Sequence, residues 1–323
     1  MSMRDKIAKA ILGGKTGGPT PTGIHVYHSS PHDFDRFDLS KIGTGEGAQV
    51  YGHGIYAAEN PAVSGQGGHY WQQFAPRFGG SEAEAISILK RLGFDRDQAI
   101  AKLGSEAGGY IPGSTLHTQL NEAKRLLESG APVGPRTYEV NFRAKPEELL
   151  DWDRRLDQQS PHVRETVAAL TGLRDPFVSG KTAYQDIKGA MYQKYGNRDH
   201  NINSRYASET LAEGGIPGIR YLDEGSRVTG PAANNFAAQF GSRPEAHAAA
   251  QRSLALASDV RDVRKWEDIV ADLARPQTHD YVAFDPSKLD IMAKYGVIGA
   301  TGGVLGAGAM GGTIDQSTYG DRQ

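Results

Sequence analysis

Residues 51–58 of the chain read YGHGIYAA, and this stretch decides the fold more than any other. Two glycines flank a histidine, and apolar and aromatic side chains follow, a pattern typical of a β-strand that another backbone approaches closely. Similar runs bounded by Gly, Pro or Asp recur along the chain: IHVYHSS, RTYEVNF, GIRYLD and DYVAFD. The sequence therefore predicts at least five short strands, and DYVAFD taken alone is typical of an edge strand.

Helical sequence separates these strands. The predicted helical insertions are long and cover about residues 81–135, 160–212 and 231–277, the last as one or two exposed helices. The first insertion opens with Ser81 and Glu84, the spacing of a capping box, and Gly130 marks a plausible helix stop. Because strands and helices do not alternate regularly, the pattern favours an α+β fold over a doubly wound sheet.

The composition excludes several classes of protein. Among 323 residues, 36 are Lys or Arg and 38 are Asp or Glu, a net charge of −2, which argues against bulk nucleic-acid binding through a basic face. Cysteine is absent, which excludes disulfides, thiolate nucleophiles and Cys-based zinc sites. P-loop, HExxH and GxSxG motifs are also absent, and the histidines lack metal-ligand spacing, so we expect no metal.

The two ends of the chain differ from the region between them. Residues 1–22 combine a basic amphipathic segment with a Gly/Pro linker and lack the long apolar core of a signal peptide. Residues 297–323 form a Gly-rich tail. An uncharged run over 295–314 is long enough to make a membrane span conceivable. We favour a flexible tail, because glycine weakens a helix, and membrane contact through the tails stays an alternative. The predicted domain covers 23–296.

A spaced set of polar and aromatic residues lies within that domain. Tyr27-His28-Ser29-Ser30 ends one strand, GHGIY forms another, Ser64 and Tyr70 follow, and Asp280-Tyr281-Val282 lies near the C-terminal end. Each group alone has an ordinary structural explanation, such as a turn or core packing. Together, their order resembles the ADP-ribosyltransferases of the diphtheria-toxin and poly(ADP-ribose) polymerase class, whose motifs run His-Gly-Ser/Thr, Gly-x-Gly-Ile-Tyr and Glu-Tyr-x-x-Tyr/Phe.

The sequence is more similar still to the ADP-ribosyltransferase domain of large polyvalent proteins from phages and mobile elements. Four blocks carry this resemblance and together cover most of residues 23–296: YHSSPHDFDRFDLSKIGTGEGAQVYGHGIYAAENPAV, TYEVNFRAKPEELLDWDRRLDQQSP, SETLAEGGIPGIRYLDEGSR and DYVAFDPSKLDIMAKYG. The implied fold is a split pair of antiparallel sheets around an NAD cleft, with helical insertions between the strands. NAD+ is then a substrate.

The resemblance also implies roles for individual residues. His28 would bind the adenosine ribose, and Ser29, in place of the family glycine, would hold the nicotinamide carboxamide through its backbone. Tyr56 and Tyr70 would enclose the cationic nicotinamide ring, which an aromatic face attracts, and Ser64 could add a hydrogen bond. Asp280 stands where the polymerase-like motif has glutamate, and would stabilise the positive charge that develops on the ribose.

Aspartate reaches less far than glutamate, and a displacement of about 1 Å matters in a preorganised site. The identity of the catalytic carboxylate therefore stays open. Glu46 is the first alternative, and Asp223 and Glu224 follow, although a turn at the surface explains Glu224 equally well. Arg227 could pair with the diphosphate of NAD+ in bidentate fashion, or form a surface salt bridge.

We therefore expect a mono-ADP-ribosyltransferase that modifies a protein or nucleic-acid acceptor and releases nicotinamide. The phage setting implies host proteins or RNA as acceptors, with the enzyme in the host cytoplasm or delivered by a virion. Two alternatives stay open: an NAD+ glycohydrolase that uses water as the acceptor, and a catalytically weak NAD-binding, virion-associated module.

Overall fold

A computed structural model describes residues 23–42, 49–65, 67–173, 175–223, 226, 231–237, 239–275 and 277–295. The predicted N-terminal segment and Gly-rich tail lie outside these residues, as do Glu46, Glu224 and Arg227. Within the described part of the chain, no helix is long and apolar enough to cross a membrane.

Strands and helices follow each other irregularly, which confirms the predicted α+β class. The described strands are β1 Ile24–Ser30, β2 Ile55–Ala58, β3 Arg136–Phe142, β4 Leu150–Asp151, β5 Gly218–Leu222, β6 His279–Ala283 and β7 Leu289–Tyr295. The described α-helices are α1 Pro61–Ser64, α2 His69–Phe74, α3 Gly80–Arg91, α4 Arg96–Ala107, α5 Thr115–Glu128, α6 Pro161–Thr171, α7 Gly180–Tyr195, α8 His200–Glu213, α9 Pro231–Ala237, α10 Arg243–Leu256 and α11 Val260–Ala274. The third insertion thus has three helices where we predicted one or two.

The seven described strands form one mixed sheet in the order β4-β5-β6-β2-β1-β3-β7, where the resemblance implied a split pair of antiparallel sheets. β4 and β5 are parallel, whereas β5–β6, β6–β2 and β2–β1 are antiparallel. The DYVAFD strand is therefore an interior strand, and its interpretation as an edge strand was wrong. Its residues explain the interior position, because Tyr281, Val282 and Ala283 are all buried and fit a strand covered on both faces.

The described chain divides into two compact units. The smaller unit, Trp71–Arg136, contains α3, α4 and α5 around an apolar cluster that includes Leu89, Leu103 and Leu127. Our predicted capping box at Ser81 was wrong, because α3 begins at Gly80 and the Ser81 hydroxyl donates to Glu122 at 2.6 Å.

The larger unit consists of residues 23–70 and Thr137–Lys294 and contains the sheet. Side chains alternate between the two faces of β2 and β6, as in any strand. Ile55, Ala57 and Tyr281 join one apolar cluster with residues of β1 and β3. Val282 joins a second cluster, in which Tyr56 also packs, together with residues of α6, α7 and α8. The third insertion has a small apolar cluster of its own.

Candidate functional site

The GHGIY segment forms a tight turn that leads into β2, and its glycines are required by close backbone contacts. Gly52 is buried and has φ +128°, a conformation that disfavours side chains. A Cβ added at Gly54 would lie 2.5 Å from the carbonyl oxygen of Ala283 in β6. The motif therefore seats β2 directly against β6, which fixes the position of the tyrosine that follows.

Tyr56 is fixed in this turn through its hydroxyl group. The hydroxyl donates to the Gly52 carbonyl at 2.9 Å and accepts from the Tyr51 amide at 3.2 Å. Burial raises the pKa of Tyr56, so its phenol is neutral at any physiological pH. Because both hydrogen bonds go to the backbone of the preceding turn, the position of the aromatic ring is set before any ligand binds.

His28 on β1 contacts the backbone of β2 at Tyr56. In the described sheet, β1 aligns with β2 at Tyr27↔Ala58, whereas β2 stays in register with β6 from Ile55 to Ala58. The His28 Nδ1 atom lies 2.7 Å from the Tyr56 carbonyl oxygen. The imidazole of β1 is thus bonded to the backbone of β2.

This hydrogen bond defines the tautomer of His28. A carbonyl oxygen only accepts, so Nδ1 carries the hydrogen and Nε2 keeps its lone pair. Burial lowers the pKa of His28 below its ordinary value of 6.5, and the bond to the Tyr56 carbonyl opposes that shift only in part. The imidazole is therefore neutral at pH 7. Its ring packs against Phe37 and Tyr138, with centroid distances of 5.2 and 6.1 Å.

Ser29 and Ser64 are brought into direct contact. The Ser29 hydroxyl donates to the Ser64 carbonyl at 2.8 Å, and both residues are buried. Ser64 is the last residue of α1, which begins at Pro61 with Asn60 as its N-cap. This bond holds α1 against the end of β1, beside the turn that contains Tyr56.

Four tyrosines have phenols that interact electrostatically, and we call them the tyrosine group: Tyr51, Tyr56, Tyr70 and Tyr221. The rings of Tyr51 and Tyr221 stack at 3.7 Å, with an interplanar angle of 5°. Burial is the largest cause of the raised pKa values of Tyr56 and Tyr221, and the phenol of Tyr70 adds to both shifts. The phenols of Tyr70 and Tyr56 are therefore close enough to interact electrostatically.

Asp280 lies on β6 beside this group. It is buried, and its direct strand neighbours are Ala58 and Tyr221. Its negative charge contributes to the raised pKa of Tyr221 after the larger effect of burial. Of the predicted site residues, Tyr56, Tyr70 and Asp280 are thus brought together. The His28 ring instead packs in a different aromatic cluster and reaches Tyr56 through the backbone.

Of the remaining candidate carboxylates, the structure describes Asp223. Asp223 is buried and accepts hydrogen bonds from the Ser226 amide at 2.6 Å and from the Thr278 hydroxyl. These bonds tie the Asp223 carboxylate to Ser226 and Thr278. Glu46, Glu224 and Arg227 lie outside the described residues.

A carboxylate that the sequence did not single out lies on the opposite face from Tyr56. Glu59 follows β2 and accepts from the His279 amide at 2.9 Å and from the Tyr281 hydroxyl. Burial raises the pKa of Glu59, but the hydrogen bonds from His279 and Tyr281 outweigh it and leave that pKa below its ordinary value. No local pattern signals this contact, because its partners lie more than 200 residues away in the chain.

Among the described residues, no group of three or more His, Asp or Glu side chains is placed to hold a metal. Comparison of the chain with protein-family models, with curated proteins and with solved structures finds no match.

Proposed function

We propose that the protein is a mono-ADP-ribosyltransferase that transfers ADP-ribose from NAD+ to a protein or nucleic-acid acceptor. The observation that carries this proposal is the contact between His28 on β1 and the Tyr56 carbonyl on β2. It joins the two motifs that resemble the family most, although their residues are 28 positions apart. A cleft for NAD+ would lie beside this contact.

His28 would bind a ribose hydroxyl of NAD+ through Nε2. The neutral imidazole offers a lone pair there, because Nδ1–H is already donated to Tyr56. A ribose hydroxyl is a suitable donor for that lone pair. Protonation would convert Nε2 into a second donor and weaken this interaction, so the lowered pKa of His28 supports the role.

Tyr56 and Tyr70 would hold the nicotinamide ring. The pyridinium of NAD+ is cationic, and an aromatic face attracts a cation by about 0.5–2 kcal/mol, depending on desolvation. The hydroxyl of Tyr56 is held by two backbone groups, so little conformational entropy would be lost on binding. The Ser29 backbone and Ser64 would contact the carboxamide.

Asp280 would assist the loss of nicotinamide. The bond between the ribose C1′ and the nicotinamide nitrogen breaks, and nicotinamide leaves with the electron pair. A carboxylate beside the resulting oxocarbenium-like carbon stabilises its positive charge, a contribution of about 3–4 kcal/mol in comparable electrostatic sites. The acceptor then attacks C1′ with its own electron pair and loses a proton to solvent. The acceptors that suit a phage protein in the host cytoplasm, or one delivered by a virion, are host proteins or RNA.

The test is release of nicotinamide from NAD+ by the purified chain. We expect wild-type protein to release it, and His28→Gln to lose at least about tenfold in kcat/KM, since a bond to a ribose hydroxyl is worth about 1.4 kcal/mol. His117→Gln, a substitution in the smaller unit, is the control and should leave the rate unchanged. Circular dichroism of both variants would show whether each is folded.

A second measurement distinguishes transfer from hydrolysis. NAD+ labelled on the adenylate phosphate should leave its label on a protein or an RNA of a bacterial lysate. Free labelled ADP-ribose without any labelled macromolecule would indicate an NAD+ glycohydrolase. Absence of both nicotinamide release and NAD+ binding would contradict the proposal and leave the alternative of a module without this chemistry.

A further inference from the structure

The outer side of α7 carries a row of cationic, amide and aromatic side chains. Its members are spaced three or four positions apart, which places them on one side of the helix. We call this row the α7 stripe: Lys181, Gln185, Lys188, Tyr192 and Tyr195. The apolar residues Ile187 and Met191 of the same helix are buried in the core. Tyr192 and Tyr195 are instead 48% and 52% exposed, so both rings present aromatic surface to solvent.

The C-terminal end of the α7 stripe meets the start of α8 in a cluster of rings and cations. Tyr195 packs on Tyr206 with a centroid distance of 4.6 Å, and Tyr206 in turn packs against the core. The Lys194 Nζ atom lies 5.1 Å from the centroid of the Tyr195 ring, and the Arg205 guanidinium carbon lies 5.5 Å from that of Tyr206. We call residues 194–206 the aromatic tip.

The aromatic tip is positively charged. It contains one Asp and three residues that are Lys or Arg: Lys194, Arg198 and Arg205. Within the described residues the first two form no ion pair, and the third makes only an exposed pair with Glu209 at 3.7 Å. The aspartate, Asp199, is the N-cap of α8. The net charge of −2 argues against a basic face across the whole protein, but it leaves room for this local excess.

The N-terminal end of the α7 stripe reaches the candidate site. Lys181 and Gln185 line a cavity of about 310 Å³, and its aromatic lining is Tyr51 and Trp152. The Tyr51 amide donates to the hydroxyl of Tyr56, the tyrosine proposed to hold nicotinamide. The cavity lies at the lower end of the usual range for ligand sites, about 300–1,000 Å³, which suits one planar ring.

The polar groups of this cavity suit the edge of a base and an adjoining phosphate. Gln185 can both donate and accept hydrogen bonds, and Lys181 supplies a positive charge. Asp153 also lines the cavity, and its carboxylate accepts from the Leu222 amide at 2.7 Å. A second oxygen of that carboxylate can accept from the amino group of a base.

The combination of exposed rings and cations favours a single-stranded nucleic acid as the ligand. Bases stack on aromatic side chains whatever their sequence, and phosphates are attracted by nearby Lys and Arg residues. A duplex keeps its bases stacked on each other, so only a single strand can use the rings in this way. The stripe is about 21 Å long at the helical rise, which corresponds to about six nucleotides of a stacked strand. An acidic peptide would use the cations and leave the rings without partners.

We propose that the α7 stripe and the aromatic tip bind single-stranded nucleic acid and present it as the acceptor of ADP-ribose, with one base in the cavity beside Tyr51. The acceptor part of this inference rests on the proposed function. In the transfer step an oxygen or nitrogen of the nucleotide bonds to C1′ with its own electron pair. Nicotinamide leaves with the electrons of the broken bond, and the proton of the nucleotide passes to solvent.

The first test is binding of a fluorescent 12-nucleotide oligouridylate, and of the matching oligothymidylate, to the full chain without NAD+. We expect Tyr192→Ala to weaken binding at least about fivefold, because a stacking ring is lost. Tyr192→Phe keeps the ring and should bind like the wild type. The tighter of the two oligonucleotides shows whether RNA or DNA is the preferred strand.

A second test measures the phosphate contacts through their salt dependence. The double variant Lys194→Gln/Arg198→Gln should make the slope of log K against log salt concentration less steep by about 1.4, about 0.7 for each lost phosphate contact. The matched control is Arg264→Gln/Lys265→Gln in α11, which removes the same charge from a helix where acids and bases are mixed in sequence. That control should keep the wild-type affinity and slope.

The results separate this inference from the proposed function. Failure of both oligonucleotides to bind, or equal affinities for wild type and Tyr192→Ala, would overturn the inference even if nicotinamide is released. Polyglutamate that binds as tightly as the oligonucleotides, and equally well to Tyr192→Ala, would also overturn it and indicate an acidic protein partner. With NAD+ labelled on the adenylate phosphate, the bound oligonucleotide should become labelled. Oligonucleotide binding by a protein that releases no nicotinamide would refute the proposed function and the acceptor role, but not the binding surface.

Discussion

Replacement of Gly54 by alanine should destabilise the protein by about 3 kcal/mol, the upper end of the cost of overpacking a core. The added Cβ would lie 2.5 Å from the Ala283 carbonyl oxygen and 2.7 Å from a methyl carbon of Val282. Nonbonded carbon atoms normally keep about 3.5 Å or more. Because β6 is paired on both sides, the Ala283 carbonyl cannot move away, and Val282 is a buried, β-branched side chain with few alternative rotamers.

Gly189→Ala is the matched control for this substitution. Gly189 lies within α7, and nothing lies within 4 Å of the position that its Cβ would take. Alanine is favoured over glycine in a helix by about 0.5–1 kcal/mol, so this variant should be more stable than the wild type. The two glycine-to-alanine changes are thus expected to act in opposite directions.

Urea unfolding followed by far-ultraviolet circular dichroism measures both effects. The midpoint of Gly54→Ala should fall and that of Gly189→Ala should rise, with similar slopes for all three proteins. A Gly54→Ala protein within about 1 kcal/mol of the wild type would refute the reasoning, because a clash with a backbone carbonyl cannot be that cheap. Close packing of β2 on β6 would then not be the reason for the glycine at position 54 of the GHGIY motif.

Three further predictions concern charge. Asp280→Asn should lower kcat for nicotinamide release by about a hundredfold or more with little change in NAD+ affinity, measured by steady-state kinetics and titration calorimetry. The pKa of His28 lies below 6.5 in the folded protein, so as the pH is lowered the unfolded chain binds a proton before the folded protein does. The unfolding free energy should therefore fall as pH drops below 6.5, and it should fall less steeply in His28→Gln. Glu59, whose pKa is below 4.5, contributes stability that is fully present above pH 4.5 and lost as pH falls further; Glu59→Gln should remove that contribution in acid unfolding curves.

The sequence predicted the strands well where apolar and aromatic residues alternate. Ile55–Ala58 and Arg136–Phe142 form strands as expected, because their side chains face apolar clusters on the sheet. The short strand Leu150–Asp151 was missed, since two residues give no periodicity, and Leu289–Tyr295 was missed because its charged residues break the apolar pattern.

The candidate site was predictable only where its residues lie within motifs. GHGIY indicated the position of Tyr56, and the local order of residues indicated His28. Contacts between distant strands gave no such signal: the stack of Tyr51 on Tyr221 and the bonds of Glu59 depend on strand pairing over about 170 and 220 positions. The capping-box prediction failed for a similar reason, because the Ser81 hydroxyl bonds Glu122 on another helix.

The most direct measurement of the central claim is a crystal structure with an NAD+ analogue whose ribose ring oxygen, on the nicotinamide side, is replaced by a methylene group. Such an analogue cannot lose nicotinamide. We predict its nicotinamide ring between Tyr56 and Tyr70, Asp280 beside the adjoining sugar, and a hydroxyl of the other ribose on Nε2 of His28. A dinucleotide bound elsewhere on the protein, or an analogue that does not bind at all, would contradict the assignment.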